Sequence, residues 1–545
     1  MSLDAQATAP TPTPGRWRVV AARAGTGLSA ALLLAILVVP GELDHVGPAV
    51  LLRIPVEGLL ALAIVLAVPA RARTVVALVL GSVLGLWGVV RVVDIGFFAT
   101  LDRPFDPVVD GGFLSAGFTV LHASMGLAGA VLVAVLAVVL AVGVVALVAV
   151  AGLRVTRAIL PHRRPALVTV GVLAVAWAVL AATGARVVAD EPIAARDFLD
   201  RIGHVPVSLR DPDVFAGTLT QDAYRDVPGN ELLTALRGKD VLVVLVESYG
   251  RVAVESPEIA PTVDAVLDEG TRDLAAAGFG SRSAFLTSPT VGGGSWLASA
   301  TLLSGAWVNS QPRYEYLAGT DRVTLPGAFH RAGWHTVALM PGLNDPWPEG
   351  AFFGYDEIRG SHEMDYAGPV YTFDSIPDQY VLSFFDRTER SVRGPVMAVI
   401  PLISSHAPWS PVPSLMDWSK VGDGSRFPKP GEALNPAEII LQRDVSRVRA
   451  DYAHAVAYSL STLVSYVETY GDDDLVVVFV GDHQPAPLVI GDTDNRDAPV
   501  AIVARDPAVL AHIDSWGWDT GLRPSAASPV WPMDAFRDHF LAAFS

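Results

Sequence analysis

Four stretches without a charged side chain occupy the first third of this 545-residue chain: residues 24–41, 74–90, 111–153 and 165–185. As helices, each is long enough to cross a roughly 30 Å hydrocarbon core. A fifth apolar segment, residues 46–70, carries Arg53 and Glu57. Four residues apart on a helix, these two share a face; they either neutralise each other inside a bundle or, with the segment tilted, reach the interface. Five membrane-spanning helices are expected between residues 16 and 186. With 51% hydrophobic residues the chain is too apolar for a purely soluble protein, and it is too long for one ordinary domain.

Arginine placement orients the spans. Arg16, Arg18 and Arg23 precede the first, Arg71 and Arg73 follow the second, and Arg154, Arg157, Arg163 and Arg164 separate the fourth from the fifth. The alternate loops are acidic, with Arg91 and Arg103 as isolated exceptions. All basic clusters therefore fall on one side, the cytoplasm, and an odd number of spans puts the rest of the chain outside. Residues 1–188 hold 13 arginines against 8 acidic residues, whereas the remainder holds 26 basic and 48 acidic residues. An acidic exterior excludes nucleic acid as the expected partner. Cysteine is absent, which excludes disulfides, thiolate metal sites and a cysteine nucleophile.

Residues 1–15, rich in Ala, Thr and Pro, read as a disordered cytoplasmic tail, and the first helix as an uncleaved anchor. The first part of the long run 111–153 is expected along the outer interface before the helix enters. Residues 187–239 form a polar connector with short helical signals. From residue 240 to 545 the pattern changes to buried strands alternating with helices, which predicts an α/β domain with a mostly parallel sheet covered on both faces.

Two of those strands carry chemistry at their ends. DLVVVFVGDH, residues 474–483, is an apolar β-branched run ending in Asp482 and His483; DVLVVLVESYG, residues 240–250, is another, ending in Glu247. Ligand sites in open α/β sheets lie beyond the carboxyl ends of strands, and Asp, Glu and His together suit a divalent metal. The strand ending in Ser404, Ser405 and His406 belongs to the same edge. The stretch TVGGGSWLASATLLSG, residues 290–305, supplies a nucleophile: three glycines allow close approach of a ligand, and Ser295 opens a helix whose amino end favours an anion. A flexible loop or plain helix cap is the alternative for that stretch.

These motifs in this order, VESYG, GGGSW with LLSG, SSHAPW and VGDHQP, resemble the alkaline phosphatase superfamily. Within it the chain is similar to the sulfatase-like membrane transferases, which include lipoteichoic acid synthases and phosphoethanolamine transferases. The resemblance implies a single metal ion bound by Glu247, Ser295, Asp482 and His483, with Ser295 as the catalytic nucleophile. It implies manganese first, with magnesium or zinc also fitting. His406 takes the place of a substrate-side histidine, while Trp347 and Arg251 are weaker candidates for the head-group pocket and for a phosphate oxygen. Two departures stand out. The formylglycine element of true sulfatases is missing, since Thr287 stands in its first place and Val291 in place of its arginine. The acidic residues usual after the nucleophile of lipoteichoic acid synthases are replaced by Trp296, Leu297, Ala298 and Ser299.

The reading that follows is a multi-pass enzyme of the cell membrane. It moves a phospho-alcohol group, of phosphoglycerol or phosphoethanolamine type, from a lipid donor to an envelope glycan or lipid through a phospho-serine. The alternatives are a phosphate or sulfate ester hydrolase using the same serine and, from another class, a catalytically silent membrane scaffold.

Overall fold

The computed structural model describes residues 16–38, 55–183, 194–371, 375–392, 394–431, 444–491 and 493–545. The tail 1–15, Arg53 and the first part of the connector lie outside them. The chain divides into two compact units, residues 1–98 with 103–207, and residues 99–102 with 208–545.

The first unit holds the helices α1 (Arg16–Val38), α2 (Val56–Ala67), all but the last turn of α3 (Ala70–Leu101), α4 (Gly111–Ile159) and α5 (Arg163–Thr183). Small residues set its packing. A Cβ on Gly81 would lie 2.7 Å from the Ala149 Cα, and one on Gly85 would lie 2.8 Å from the Val145 Cα, so α3 and α4 touch backbone to backbone. The Arg154 guanidinium of α4 donates to the Ala22 carbonyl of α1 at 3.1 Å. Among the described residues three stretches, not the expected five, are long and apolar enough to cross a membrane: Trp17–Val38, Ala70–Leu101 and Met125–Leu180. Two physical causes account for the difference. With 12 residues, α2 spans only about 18 Å. The basic residues expected in a loop between the last two spans are instead helical, since a 3₁₀ turn at Leu160–His162 joins α4 directly to α5 and makes one 56-residue apolar stretch. Within α4, Gly126 breaks the helix with φ 73° and ψ 169°.

The second unit is built on one nine-stranded sheet. Its strands are β1 (Asp240–Val246), β2 (Gly280–Thr287), β3 (His335–Leu339), β4 (Glu357–Arg359), β5 (Val396–Leu402), β6 (Leu475–Gly481), β7 (Asp497–Ala504), β8 (Asp519–Thr520) and β9 (Val530–Pro532), in spatial order 4-3-5-1-6-7-2-8 with β9 beside β2. The five strands from β4 to β6 are parallel, while β7 runs antiparallel to both β6 and β2. The sheet is therefore mixed, with the parallel half at the candidate site.

Apolar residues on both faces of each central strand explain why the sheet is covered twice. Leu242, Val244 and Val246 of β1 join one buried cluster with Val477 and Phe479 of β6. Val241, Val243 and Leu245 join the opposite cluster with Val476, Val478 and Val480. Each such side chain contributes roughly 1.5–3 kcal/mol by leaving water. The helices Ala260–Ala276 and Val445–Tyr470 cover the first face; Ser295–Ser304, Leu325–Ala332 and Ala535–Phe544 cover the second. Much of the expected polar connector is one helix, Ala194–Leu219, whose Phe215 and Leu219 are buried in the second cluster. Asp211 anchors it on Arg313 at 2.6 Å.

Candidate active site

Strand register brings the first two carboxylates together. Val246 of β1 pairs with Gly481 of β6 on one side and with Leu402 of β5 on the other, so Glu247, Asp482 and the loop after Leu402 leave the sheet side by side. Close approach of the β1 and β6 ends requires glycine at 481, where a Cβ would lie 1.7 Å from the Tyr249 carbonyl oxygen. The glycine loop is then laid on the end of β6: Val291 bridges to Gln484, and Gly292 N–H donates to the Gln484 carbonyl at 2.8 Å. Gly294, with φ 81°, turns the chain into the helix Ser295–Ser304 from a left-handed conformation that glycine tolerates.

The outcome is a cluster of oxygen and nitrogen acceptors around one hydroxyl. Ser295 Oγ lies 2.9 Å from Glu247 Oε2 and 3.2 Å from His483 Nε2. His483 Nε2 is 3.7 Å from Glu247 Oε1 and 3.5 Å from Asp482 Oδ2. Ligand atoms of Glu247, Asp482 and His483 all fall within 4.8 Å of one another. Supporting bonds fix each group. Ser248, held at φ 55°, donates its hydroxyl to Glu247 Oε1 at 2.8 Å and its N–H to Asp482 Oδ1 at 2.7 Å. Ser405 Oγ donates to the Glu247 carbonyl at 2.6 Å. His483 Nδ1 sits 2.8 Å from the Gln484 carbonyl, so the neutral ring carries its proton on Nδ1 and turns Nε2 toward Ser295.

Electrostatics show what this cluster lacks. Burial pushes the Asp482 carboxyl up to about 7, with the Glu247 charge adding to the effect. Burial acts the same way on Glu247, but the imidazoles of His406 and His483 and the hydroxyls of Ser248 and Ser295 outweigh it and hold that carboxyl below its ordinary range. Burial opposes a charge on His483, yet Asp482 and Glu247 prevail and raise it. Of the two buried carboxylates side by side, Asp482 therefore holds its proton to a higher pH than an ordinary carboxyl, while Glu247 keeps its charge.

The cluster forms one wall of a cavity of about 650 Å³, which His406, Trp347, Trp296, Tyr314, Glu349 and Trp409 also line. His406 Nδ1 is 2.7 Å from the Ala407 carbonyl. Trp347 Nε1 donates to the Tyr314 hydroxyl at 2.8 Å. Six of the seven residues singled out from the sequence thus meet here, counting Ser295, Glu247, Asp482, His483, His406 and Trp347. Arg251 does not: its guanidinium pairs with Asp497 at 3.0 Å and Glu255 at 2.8 Å and lies over the Phe285 ring. Thr287 and Ser288, where a formylglycine element would stand, are structural, bonded to Asp497 Oδ1 at 2.7 Å and to the Asp482 carbonyl at 2.6 Å. Sequence reasoning missed Ser248, whose signal was its place beside Glu247 at the strand end, and Tyr314 and Glu349, which have none. A second His/carboxylate group, His335, Glu357 and Glu389, lies elsewhere and is threaded by the Arg359 guanidinium.

Residues 240–499 match the Sulfatase family model. No curated protein matches the chain in sequence. Similar solved structures include the integral membrane lipooligosaccharide phosphoethanolamine transferase A (EptA) from Neisseria meningitidis, at 14% identity and TM-score 0.48, covering 95% of each chain. The lipoteichoic acid synthase LtaP from Listeria monocytogenes is similar at 14% identity and TM-score 0.34, over 56% of this chain and 71% of its own. The phosphoglycerol transferase GacH from Streptococcus pyogenes is similar at 12% identity and TM-score 0.36, over 61% and 91%.

Proposed function

We propose that this chain is a membrane-anchored, metal-dependent phosphotransferase with an extracytoplasmic catalytic domain. It moves a phospho-alcohol group, of phosphoglycerol or phosphoethanolamine type, from a lipid donor to an envelope glycan or lipid acceptor. The observation that carries this reading is the crowding of acceptors at Ser295. Its single hydroxyl proton faces Glu247 Oε2 at 2.9 Å, His483 Nε2 at 3.2 Å and the Asp482 carboxyl. Lone pairs outnumber protons, and three hard or borderline donors beside a hydroxyl suit a divalent cation.

Glu247, Asp482, His483 and Ser295 would hold that ion, with manganese proposed and magnesium or zinc chemically compatible. Bound there, a divalent cation supplies the positive charge that two buried carboxylates and a phosphoryl group undergoing transfer both require. The side chains do the rest. Ser295, half-buried and facing the cavity, attacks phosphorus in line, its proton passing to the surrounding acceptors; the Oγ–P bond forms as the bond from phosphorus to the glyceride oxygen breaks. His406, with Nδ1–H held on the Ala407 carbonyl, presents Nε2 to the cavity. Protonated, it donates to the leaving glyceride oxygen; neutral, it takes the proton of the acceptor hydroxyl that then displaces Ser295. Water in place of the acceptor would make the same site a hydrolase.

Labelled phospholipids presented to the detergent-purified full chain, with and without Mn²⁺ and alongside Ser295→Ala, test the proposal. Metal-dependent transfer of glycerol phosphate or phosphoethanolamine to an alcohol, lost in the variant, is the expected result. Release to water alone, or turnover only of soluble esters, supports the hydrolase. No turnover and no bound metal supports the scaffold and contradicts both.

A further inference from the structure

The cavity wall is chemically lopsided. Its acidic lining residues are Glu247 and Asp482 around Ser295, and Glu349; no lysine or arginine lines it among the described residues. Glu349 lies in the first turn of the 3₁₀ segment Pro348–Phe353, just after Trp347. It is half-buried, and it makes no ion pair among the described residues. Its charge is felt by Tyr314, whose hydroxyl burial pushes up to about 12 with a further push from Glu349. Trp347, bonded to Tyr314 at 2.8 Å, packs 5.5 Å from Phe353, which lies 6.0 Å from Tyr355. The neighbouring Gln311 amide is already committed, accepting from Trp296 Nε1 at 2.9 Å and donating to Glu315 at 3.0 Å.

We propose that Glu349, Trp347 and Tyr314 form an ammonium subsite that selects phosphorylated amino alcohols over phosphorylated neutral polyols. The proposal rests on the reading of this cavity as the head-group site. A carboxylate beside aromatic faces attracts a compact cation by charge and by the ring quadrupole together. A glycerol hydroxyl in that place leaves the carboxylate without a counter-charge, and a second anionic group is repelled. Discrimination of this kind comes from the group left unsatisfied by the wrong ligand.

Binding to the full-length Ser295→Ala chain in detergent, saturated with Mn²⁺, separates recognition from turnover. Calorimetry with phosphoethanolamine and with glycerol 3-phosphate is expected to give at least about tenfold tighter binding of the first, a difference of about 1.4 kcal/mol. Adding Glu349→Gln, which keeps size and hydrogen bonding, should shrink that preference to about twofold, weakening phosphoethanolamine and tightening glycerol 3-phosphate. Equal affinities in the parent, or a preference that survives Glu349→Gln, overturn the subsite. The Ser295 chain, assayed on the corresponding phospholipids, tells the two failures apart. Glu349-dependent selectivity without transfer leaves the subsite standing and removes the transferase; transfer without selectivity does the reverse.

Discussion

The carbonyl oxygen of Tyr249 lies 1.7 Å from where a Cβ on Gly481 would stand. Backbone meets backbone at this point, so no side chain can yield, and the contact holds the Glu247 loop against the Asp482 loop. Gly481→Ala is expected to cost about 1–3 kcal/mol, as overpacking does. It should also weaken Mn²⁺ binding by pushing the two carboxylates apart. Thermal melts with and without Mn²⁺ check both; an unchanged metal-induced shift would contradict the geometry.

Metal affinity should follow pH in a defined direction. The Asp482 carboxyl, raised to about 7 by burial and by Glu247, is protonated below that pH in the metal-free protein. Metal and proton therefore compete, and Mn²⁺ affinity should climb between about pH 6 and 8 and flatten above. Calorimetry in buffers of different ionisation enthalpy should register released protons at pH 6.5. Affinity independent of pH across this window would count against Asp482 as a ligand. Chelation should lower the melting temperature, since ligand at 100 times its dissociation constant adds about 2.7 kcal/mol of stability.

Asp378 gives a pH effect on stability that is separate from the metal. Fully buried, it accepts from Ser404 N–H at 3.0 Å and from Ser459 Oγ at 2.6 Å, and burial raises its carboxyl to about 6. The folded state thus binds a proton that the unfolded state, with an ordinary value of about 3.9, releases sooner. This group's contribution is most favourable below about pH 4 and is lost as pH rises to about 6, for a total of roughly 3 kcal/mol. Asp378→Asn, which can keep both hydrogen bonds, should flatten the profile across that window. Urea melts from pH 4 to 7 measure it, and parallel profiles for the two proteins would refute the assignment.

Arg251 and His406 should part company on mutation. Arg251 spends its guanidinium on Asp497, Glu255 and the Phe285 ring. Arg251→Ala is expected to cost about 1–2 kcal/mol of stability through those partly buried contacts while leaving the transfer rate within about twofold. His406 lines the cavity and acts on Glu247, so His406→Ala should lower kcat by about 10²–10⁴ at nearly unchanged stability. Rates and melts on both variants decide; a large kcat loss in Arg251→Ala would restore it to the phosphate.

How far the molecule was legible in its sequence depends on the range of the deciding interaction. β1 and β6 were readable because unbroken Val and Leu runs need two buried faces, and their polar ends, Glu247 and Asp482, follow from parallel register. β2 was not singled out, since Ser281, Arg282 and Ser283 interrupt its apolar pattern and its place is set by pairing with β7. The antiparallel direction of β7 likewise has no local signal. The apolar runs predict five spans where three stretches qualify among the described residues, because Arg163 and Arg164 continue a helix in place of a loop and α2 is short. The place of Arg251 after a strand allows either a phosphate contact or an ion pair, and the fold supplies the ion-pair partners, Asp497 and Glu255. Tyr314 and Glu349 come to the cavity from segments with no motif at all.

The most direct measurement is mass spectrometry of the protein quenched during turnover of labelled donor lipid with Mn²⁺. The account predicts one added phospho-alcohol group on the peptide bearing Ser295, absent without metal and absent in Ser295→Ala. Full metal-dependent turnover by Ser295→Ala, or label on a different residue, would contradict it.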